Sequence, residues 1–162
     1  MNRFLQIAIP VFVIGFIAGG AFWYLFSPLL IDRVVNEQLP SGITLNHARA
    51  GEFRDVDGAH RGSGKAQVLI SDAGGAVLRF TEFEVTNGPD LEVWLVKHPD
   101  PKKSADVTAS EWISLGPLKG NKGDQTYVIA DGTDIDQWGS AVVWCEQFGV
   151  LFSVATLNPT EG

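Results

Sequence analysis

Sulfur is almost absent from this sequence, whose 162 residues contain one cysteine, Cys145. A single thiol cannot close an internal disulfide, so the fold has to be held by its core. The same count excludes a dithiol redox cycle within one chain. Histidine is nearly as scarce, at positions 47, 60 and 98 only. No HExxH, CxxCH, Gly-x-Ser-x-Gly or GxxxxGK[ST] pattern occurs, which removes zincin, c-type haem, α/β-hydrolase and P-loop chemistry. Positive charge is also short: 12 Lys and Arg against 19 Asp and Glu leave a formal net charge of −7. An acidic surface repels phosphate backbones and anionic headgroups, so nucleic-acid binding is excluded as a function class. Beyond the first fifty residues there is no long 3.6-residue periodicity, which argues against a helical bundle.

Charge is missing altogether from one segment. Between Arg3 and Asp32 there is no ionisable side chain of either sign except Tyr24, and the only strongly polar residue from Phe4 to Ile31 is Gln6. About 20 apolar residues span a bilayer as a helix. A cleaved signal peptide has a shorter apolar region, of about 7–15 residues, that ends at a small-residue site. Ala18-Gly19-Gly20-Ala21 resembles such a site, but Phe22-Trp23-Tyr24-Leu25-Phe26 carries the apolar run past it. The segment 1–31 therefore reads as a short cytoplasmic tip and one transmembrane helix that is retained. Arg3 and the terminal amine favour a cytoplasmic N-terminus, and Trp23 and Tyr24 suit the far interface. That orientation makes this a single-pass protein of the cell membrane with an extracytoplasmic C-terminal domain. All nineteen acidic side chains and eleven of the twelve basic ones lie beyond residue 31.

Residues 32–48 are mixed in polarity, break at Pro40-Ser41-Gly42, and read as a juxtamembrane stalk that starts helically through Val34 and Val35. His47 is most simply a solvated linker residue. From 49 to 158 the pattern changes to short β segments separated by turns, with 159–162 as a tail. Ala66, Val68 and Ile70 alternate with Lys65, Gln67 and Leu69. Asp72-Ala73-Gly74-Gly75 suits a hairpin into Ala76–Phe80. Thr81–Thr86 forms a further segment, and Asn87-Gly88-Pro89-Asp90 is a strong turn signal. Leu91–Lys97 is nearly all apolar, as in a central strand covered on both faces. A long irregular connection runs from His98 to about Glu111. Strands follow at Trp112–Leu115 and Asp124–Ala130, then a helical turn near Asp134–Trp138 and a final pair within Ser140–Leu157. Seven to nine short strands with Gly, Pro and Asn turns predict an all-β fold, an antiparallel β-sandwich or barrel, after one N-terminal membrane helix.

The stretch from about Gly51 to Leu157 resembles the DM-thirteen domain family, for which electron transfer is the proposed activity. The resemblance is carried by Gly51-Glu52-Phe53, by His60 with Gly62 and Gly64-Lys65-Ala66, and by Leu78-Arg79-Phe80 with Phe83. It continues through Thr86-Asn87-Gly88-Pro89-Asp90-Leu91-Glu92-Val93-Trp94-Leu95, Leu115-Gly116 and Leu118-Lys119-Gly120-Asn121 with Gly123, Gln125 and Tyr127. It ends in Val142-Val143-Trp144-Cys145 with Phe148 and Val150-Leu151-Phe152. It implies a compact β-rich domain outside the cytoplasm, with Cys145 as the family cysteine in a redox role and a membrane or extracytoplasmic redox protein as partner.

Several residues carry candidate chemistry beside plainer readings. Cys145, with His60 near it in space, would form a redox or ligand site; the plainer reading is a small hydrophobe packed on a core strand. One His and one Cys are too few ligands for a closed structural metal site, so no metal is expected. His98, beside Pro99 in a loop, has less in its favour. Asp131-Gly132-Thr133-Asp134-Ile135-Asp136 offers calcium-like carboxylates but lacks EF-hand spacing, and capping a short helical turn is the simpler role. Gly116–Gly123 is a hairpin loop that leads into a strand. The residues do not identify a cofactor, donor or acceptor. Two functions stay open: a membrane-tethered redox module acting through Cys145, and a non-catalytic module that binds protein or ligand through its loops.

Overall fold

The computed structural model describes residues 2–39, 45–71 and 74–160. The chain divides into two compact units, 1–31 and 32–162. The first is the helix α1, Arg3–Leu30, which runs through Pro10. It is long and apolar enough to cross a membrane over Arg3–Tyr24, a property that membrane anchors and signal sequences share.

The second unit is mostly antiparallel β. Its strands are β1 (Leu45–Asp55), β2 (Gly62–Ser71), β3 (Ala76–Val85), β4 (Leu91–Val96), β5 (Trp112–Pro117), β6 (Gln125–Ile129), β7 (Ser140–Cys145), β8 (Val150–Thr156) and β9 (Asn158–Pro159). They pair in the order β5-β4-β7-β8-β1-β2-β3-β6, with the short β9 on β1. The two ends of this sheet, β5 and β6, come back together, so the sheet curls into a nearly closed barrel. The expected all-β barrel is therefore present. Part of the expected hairpin, Asp72-Ala73, lies outside the described residues, as does the Pro40-Ser41-Gly42 break.

Alternation dictates which side chains fill the barrel. Phe53 on β1, Ala66 and Val68 on β2, and Leu78, Phe80, Phe83 and Val85 on β3 point inward and are buried with Val93, Leu95, Tyr127 and Val143. Phe53 meets Phe80 edge-on at 4.7 Å and Phe83 at 4.9 Å, the arrangement that ring quadrupoles favour. The segments expected as separate strands at 76–80 and 81–86 are one strand, β3, whose Glu82 adopts a positive φ of 51°.

On β4, β7 and β8 the outer face is buried as well, as the apolar run at Leu91–Lys97 implied. Trp94, Val96, Val142, Trp144, Leu151 and Val154 form a second cluster. It is covered in part by the helix α2, Ser104–Thr108, which lies inside the connection expected to be irregular. Asp106 accepts hydrogen bonds from the backbone N–H groups of Lys102 and Lys103, satisfying donors at the helix start. Val107 is the buried residue of α2 and joins the outer cluster.

Residues 32–39, assigned from sequence to the juxtamembrane stalk, run extended along the barrel. The helical start expected at Val34 and Val35 is not formed, because their backbone bonds go to the domain. Val34 bridges Lys122, Val35 N–H donates to Lys122 O, and Glu37 N–H donates to Asp124 O. Arg79 Nη2 donates to Glu37 O at 2.7 Å and to Asp124 Oδ2 at 2.9 Å, which holds a buried guanidinium beneath this strap. Gly120 and Gly123 make the approach feasible: a Cβ on either would collide with the carbonyl of Arg33 or Val35. His47 lies in β1, opposite Leu69.

Candidate redox site at one end of the barrel

Three connections meet where β7 ends, the β1–β2, β3–β4 and β7–β8 turns, beside the first residues of β4. Cys145 is the last residue of β7, opposite Leu91 on β4 and Val150 on β8. Its side chain belongs to the inner core and is 0% exposed. Its Sγ donates to the carbonyl of Pro89 at 3.1 Å. The turn Asn87-Gly88-Pro89-Asp90 thus serves as the lid over the thiol. Positive φ falls on Asp90, at 51°, a conformation that Asp tolerates better than most residues. Gly88 is needed for a different reason, since a Cβ there would strike the Phe152 ring.

His60 lies in the β1–β2 turn at the same end. Its Nδ1 pairs with Asp57 Oδ2 at 2.8 Å, and its ring meets Phe152 edge-on at 4.5 Å. Asp57 Oδ1 also accepts from the backbone N–H groups of Ala59 and His60. The hydrogen bond to the His60 side chain, then the two backbone bonds, hold the Asp57 carboxyl down at about 2. Cys145 and His60 are therefore on one end of the barrel, with Phe152 and the 87–90 turn as the structural link. Each bonds to its own partner: the thiol to Pro89 and the imidazole to Asp57. Among the described residues no group of three or more His, Cys, Asp or Glu side chains could hold a metal ion.

The other candidates take structural places. His98 Nδ1 accepts from Asp100 N–H, and its carbonyl accepts from Ser140 Oγ. Asp134 accepts from Asp136 N–H and from Gln137 Nε2, capping the 3-10 turn Ile135–Gln137. The 116–123 loop carries a buried polar knot, in which Gly120 N–H and Tyr127 Oη both donate to Gln125 Oε1, and Gln125 Nε2 returns a bond to Gly120 O.

One arrangement was not foreseen from sequence. Trp144, next to Cys145 in the chain, points to the opposite, outer face of β7. Its ring stacks on Trp94 of β4 at 5.0 Å, and Trp94 stacks on Trp112 of β5 at 3.9 Å with 8° between planes. Trp144 and Trp94 are 3% and 4% exposed, whereas Trp112 is 45% exposed. The row runs diagonally across three adjacent strands from the buried cysteine strand to the surface. Trp94 Nε1 donates to Glu92 Oε2 at 2.7 Å, and Ser114 Oγ donates to the same oxygen at 2.7 Å. Desolvation pushes Glu92 up, but the hydrogen bonds from Trp94, Ser114 and Glu146 outweigh it and hold its carboxyl below the usual range. Repulsion from Glu92, then the hydrogen bond between the two carboxyls, pushes Glu146 up. The signal that could have exposed this row is strand register: Trp144 opposes Glu92, and Trp94 opposes Val142 and Ser114.

Residues 52–157 match the family described as Electron transfer DM13. The chain belongs to that family. The matched span covers the barrel from the last residues of β1 to the end of β8, including His60, Cys145 and all three stacked tryptophans. No curated protein and no solved structure matches the chain. The DM13 fold here is thus the nearly closed antiparallel barrel with the buried Cys145 at one end.

Proposed function

We propose that this DM13 protein is a single-pass module of the cell membrane that carries electrons on the non-cytoplasmic side, with Cys145 as its interior redox residue. The match of residues 52–157 to an electron-transfer family carries the reading. The apolar helix α1 supports tethering, and the lone Arg3 before it supports a cytoplasmic N-terminus. Tethering raises the local concentration of the domain at membrane redox proteins, its proposed partners. Burial of the thiol under Pro89 favours transfer of single electrons over thiol–disulfide exchange, because exchange needs direct access to the sulfur. His60 acts by fixing, with Phe152, the end of the barrel that closes over Cys145.

The test uses the full chain purified in detergent. Titration with a soluble one-electron oxidant should consume more oxidant in the wild type than in Cys145→Ser, with the fold unchanged. Equal consumption in both would remove Cys145 from the activity. Protease added outside intact cells should digest the barrel and leave the N-terminus protected; the reverse pattern would overturn the orientation.

A second reading is favoured by one observation: Trp112 presents a half-exposed aromatic surface, suited to a non-catalytic binding module. A domain that retains a partner after Cys145→Ser, and consumes no extra oxidant, would support that alternative.

A further inference from the structure

We propose that Trp112, Trp94 and Trp144 form a relay for single electrons between the protein surface and the strand that carries Cys145, with Glu92 as the proton acceptor for Trp94. The proposal deepens the electron-transfer reading above and rests on it.

Four observations converge. The rings are in contact, at centroid distances of 3.9 and 5.0 Å, so electronic coupling between neighbours is not limited by an intervening gap. The row has one open end, Trp112, and one buried end, Trp144, bonded directly to the redox residue of the proposed function. The central indole N–H is aimed at a carboxylate oxygen at 2.7 Å, within direct proton-transfer distance. Finally, Glu92 is itself partly exposed and is acted on by the surface carboxyl of Glu146, so the carboxyl pair connects the buried indole to solvent protons. Packing alone explains the burial of Trp94 and Trp144. It does not require a half-exposed third ring nearly parallel to them, or a carboxylate on the buried indole N–H.

The step balances as follows. A high-potential one-electron oxidant, an organic radical or a high-valent metal centre on a partner seated at Trp112, takes one electron from Trp112 and is itself reduced by one. An electron from Trp94 refills Trp112. The Nε1–H bond of the Trp94 radical cation breaks, its proton forms an O–H bond with Glu92 Oε2, and a neutral Trp94 radical remains. When Trp144 supplies one electron to Trp94, Glu92 returns the proton to Nε1, and the one-electron hole then rests on Trp144 as its radical cation. Without a base on Nε1 the charge would stay on the indole as a radical cation, at higher energy in this largely desolvated site.

The experiment uses the full chain in detergent micelles, with Trp23→Phe in every sample to remove the membrane-helix indole. A flash-generated ruthenium(III) polypyridyl complex serves as the oxidant, and transient absorption separates neutral indolyl radical from indole radical cation. The relay predicts a neutral radical in the parent protein. It predicts loss of most of that signal in Trp112→Phe, and replacement by the radical-cation band in Glu92→Gln, whose amide still accepts the N–H bond but takes no proton. It also predicts that the neutral radical fades as pH falls through the titration of Glu92 in the parent protein, and that Glu92→Gln is insensitive to pH there. Unchanged yield and unchanged band in both variants would overturn it. Measuring Cys145→Ser in parallel separates the two claims. A normal neutral radical with no effect of Cys145→Ser on oxidant consumption leaves the relay standing and removes the Cys145 role. A Cys145-dependent consumption that ignores Trp112→Phe and Glu92→Gln does the opposite.

Discussion

The thiol of Cys145 donates to the carbonyl of Pro89 at 3.1 Å, joining the end of β7 to a turn 56 positions earlier in the chain. This contact helps seal Cys145 from solvent, since Pro89 sits between Gly88, packed on Phe152, and Asp90, whose carbonyl accepts from Glu146 N–H. The redox residue of the proposed function is thus an interior group with a fixed partner, and its chemistry is governed by the lid above it.

A thiol reagent should accordingly leave the folded protein unlabelled and modify one site after denaturation. Cys145→Ala should cost about 1 kcal/mol, the ordinary scale for losing a small buried group and one weak hydrogen bond. Mass spectrometry before and after urea checks the first part, and denaturant melts in detergent check the second. Fast labelling of the native chain would show that the 87–90 turn opens readily.

Glycine substitutions should separate strap docking from general loop tolerance. Gly123 has φ +92° and faces the Val35 carbonyl, so Gly123→Ala combines backbone strain with a collision. It should destabilise the domain by about 1–3 kcal/mol. Gly58 has open space and ordinary φ, and Gly58→Ala should stay within about 0.5 kcal/mol. Equal melting temperatures for the two variants would mean that residues 32–39 do not stay on the barrel.

Arg79 offers an independent test of the same strap. It is 5% exposed and bonds to Thr126 Oγ1, Glu37 O and Asp124 Oδ2. Removing it with Arg79→Ala leaves those acceptors unpartnered and should cost about 3 kcal/mol. Protease cutting within 32–39 should become faster as well. A variant with wild-type stability would contradict the described network.

Acid should loosen the β1–β2 turn. The Asp57 carboxyl is held below its ordinary 3.8, at about 2, chiefly by the His60 hydrogen bond. A carboxyl lowered on folding stabilises the folded form above its unfolded value, and that contribution disappears as pH falls from about 3.8 to about 2. Carboxyl NMR titration should place the Asp57 midpoint near the bottom of that window, and His60→Phe should move it upward. An Asp57 midpoint at the ordinary value would contradict the pairing.

Much of the fold was legible because the sequence alternates. Ala66 and Val68, Phe83 and Val85, and the apolar run 91–96 have the periodicities of strands buried on one or both faces, and those strands are present. Local pattern could not reveal long-range backbone pairing. Residues 32–39 look like a linker because their partners, Lys122 and Asp124, lie more than eighty positions away. Helix α2 hid in a charged loop, since its one buried residue, Val107, leaves no periodic stripe. Cys145 and His60 were singled out by residue type, and their shared barrel end follows from pairings of β1, β7 and β8 that spacing does not encode. The tryptophan row was illegible for the same reason, as Trp94, Trp112 and Trp144 become neighbours only through the register of β4, β5 and β7.

The electron-transfer account is tested most directly by voltammetry of the full chain in a bilayer supported on an electrode, with the barrel facing solution. The account predicts a one-electron wave in the wild type that is lost in Cys145→Ser, with the melting temperature close to wild type. A wild-type protein without a wave, or a wave that survives unchanged in Cys145→Ser, would contradict it.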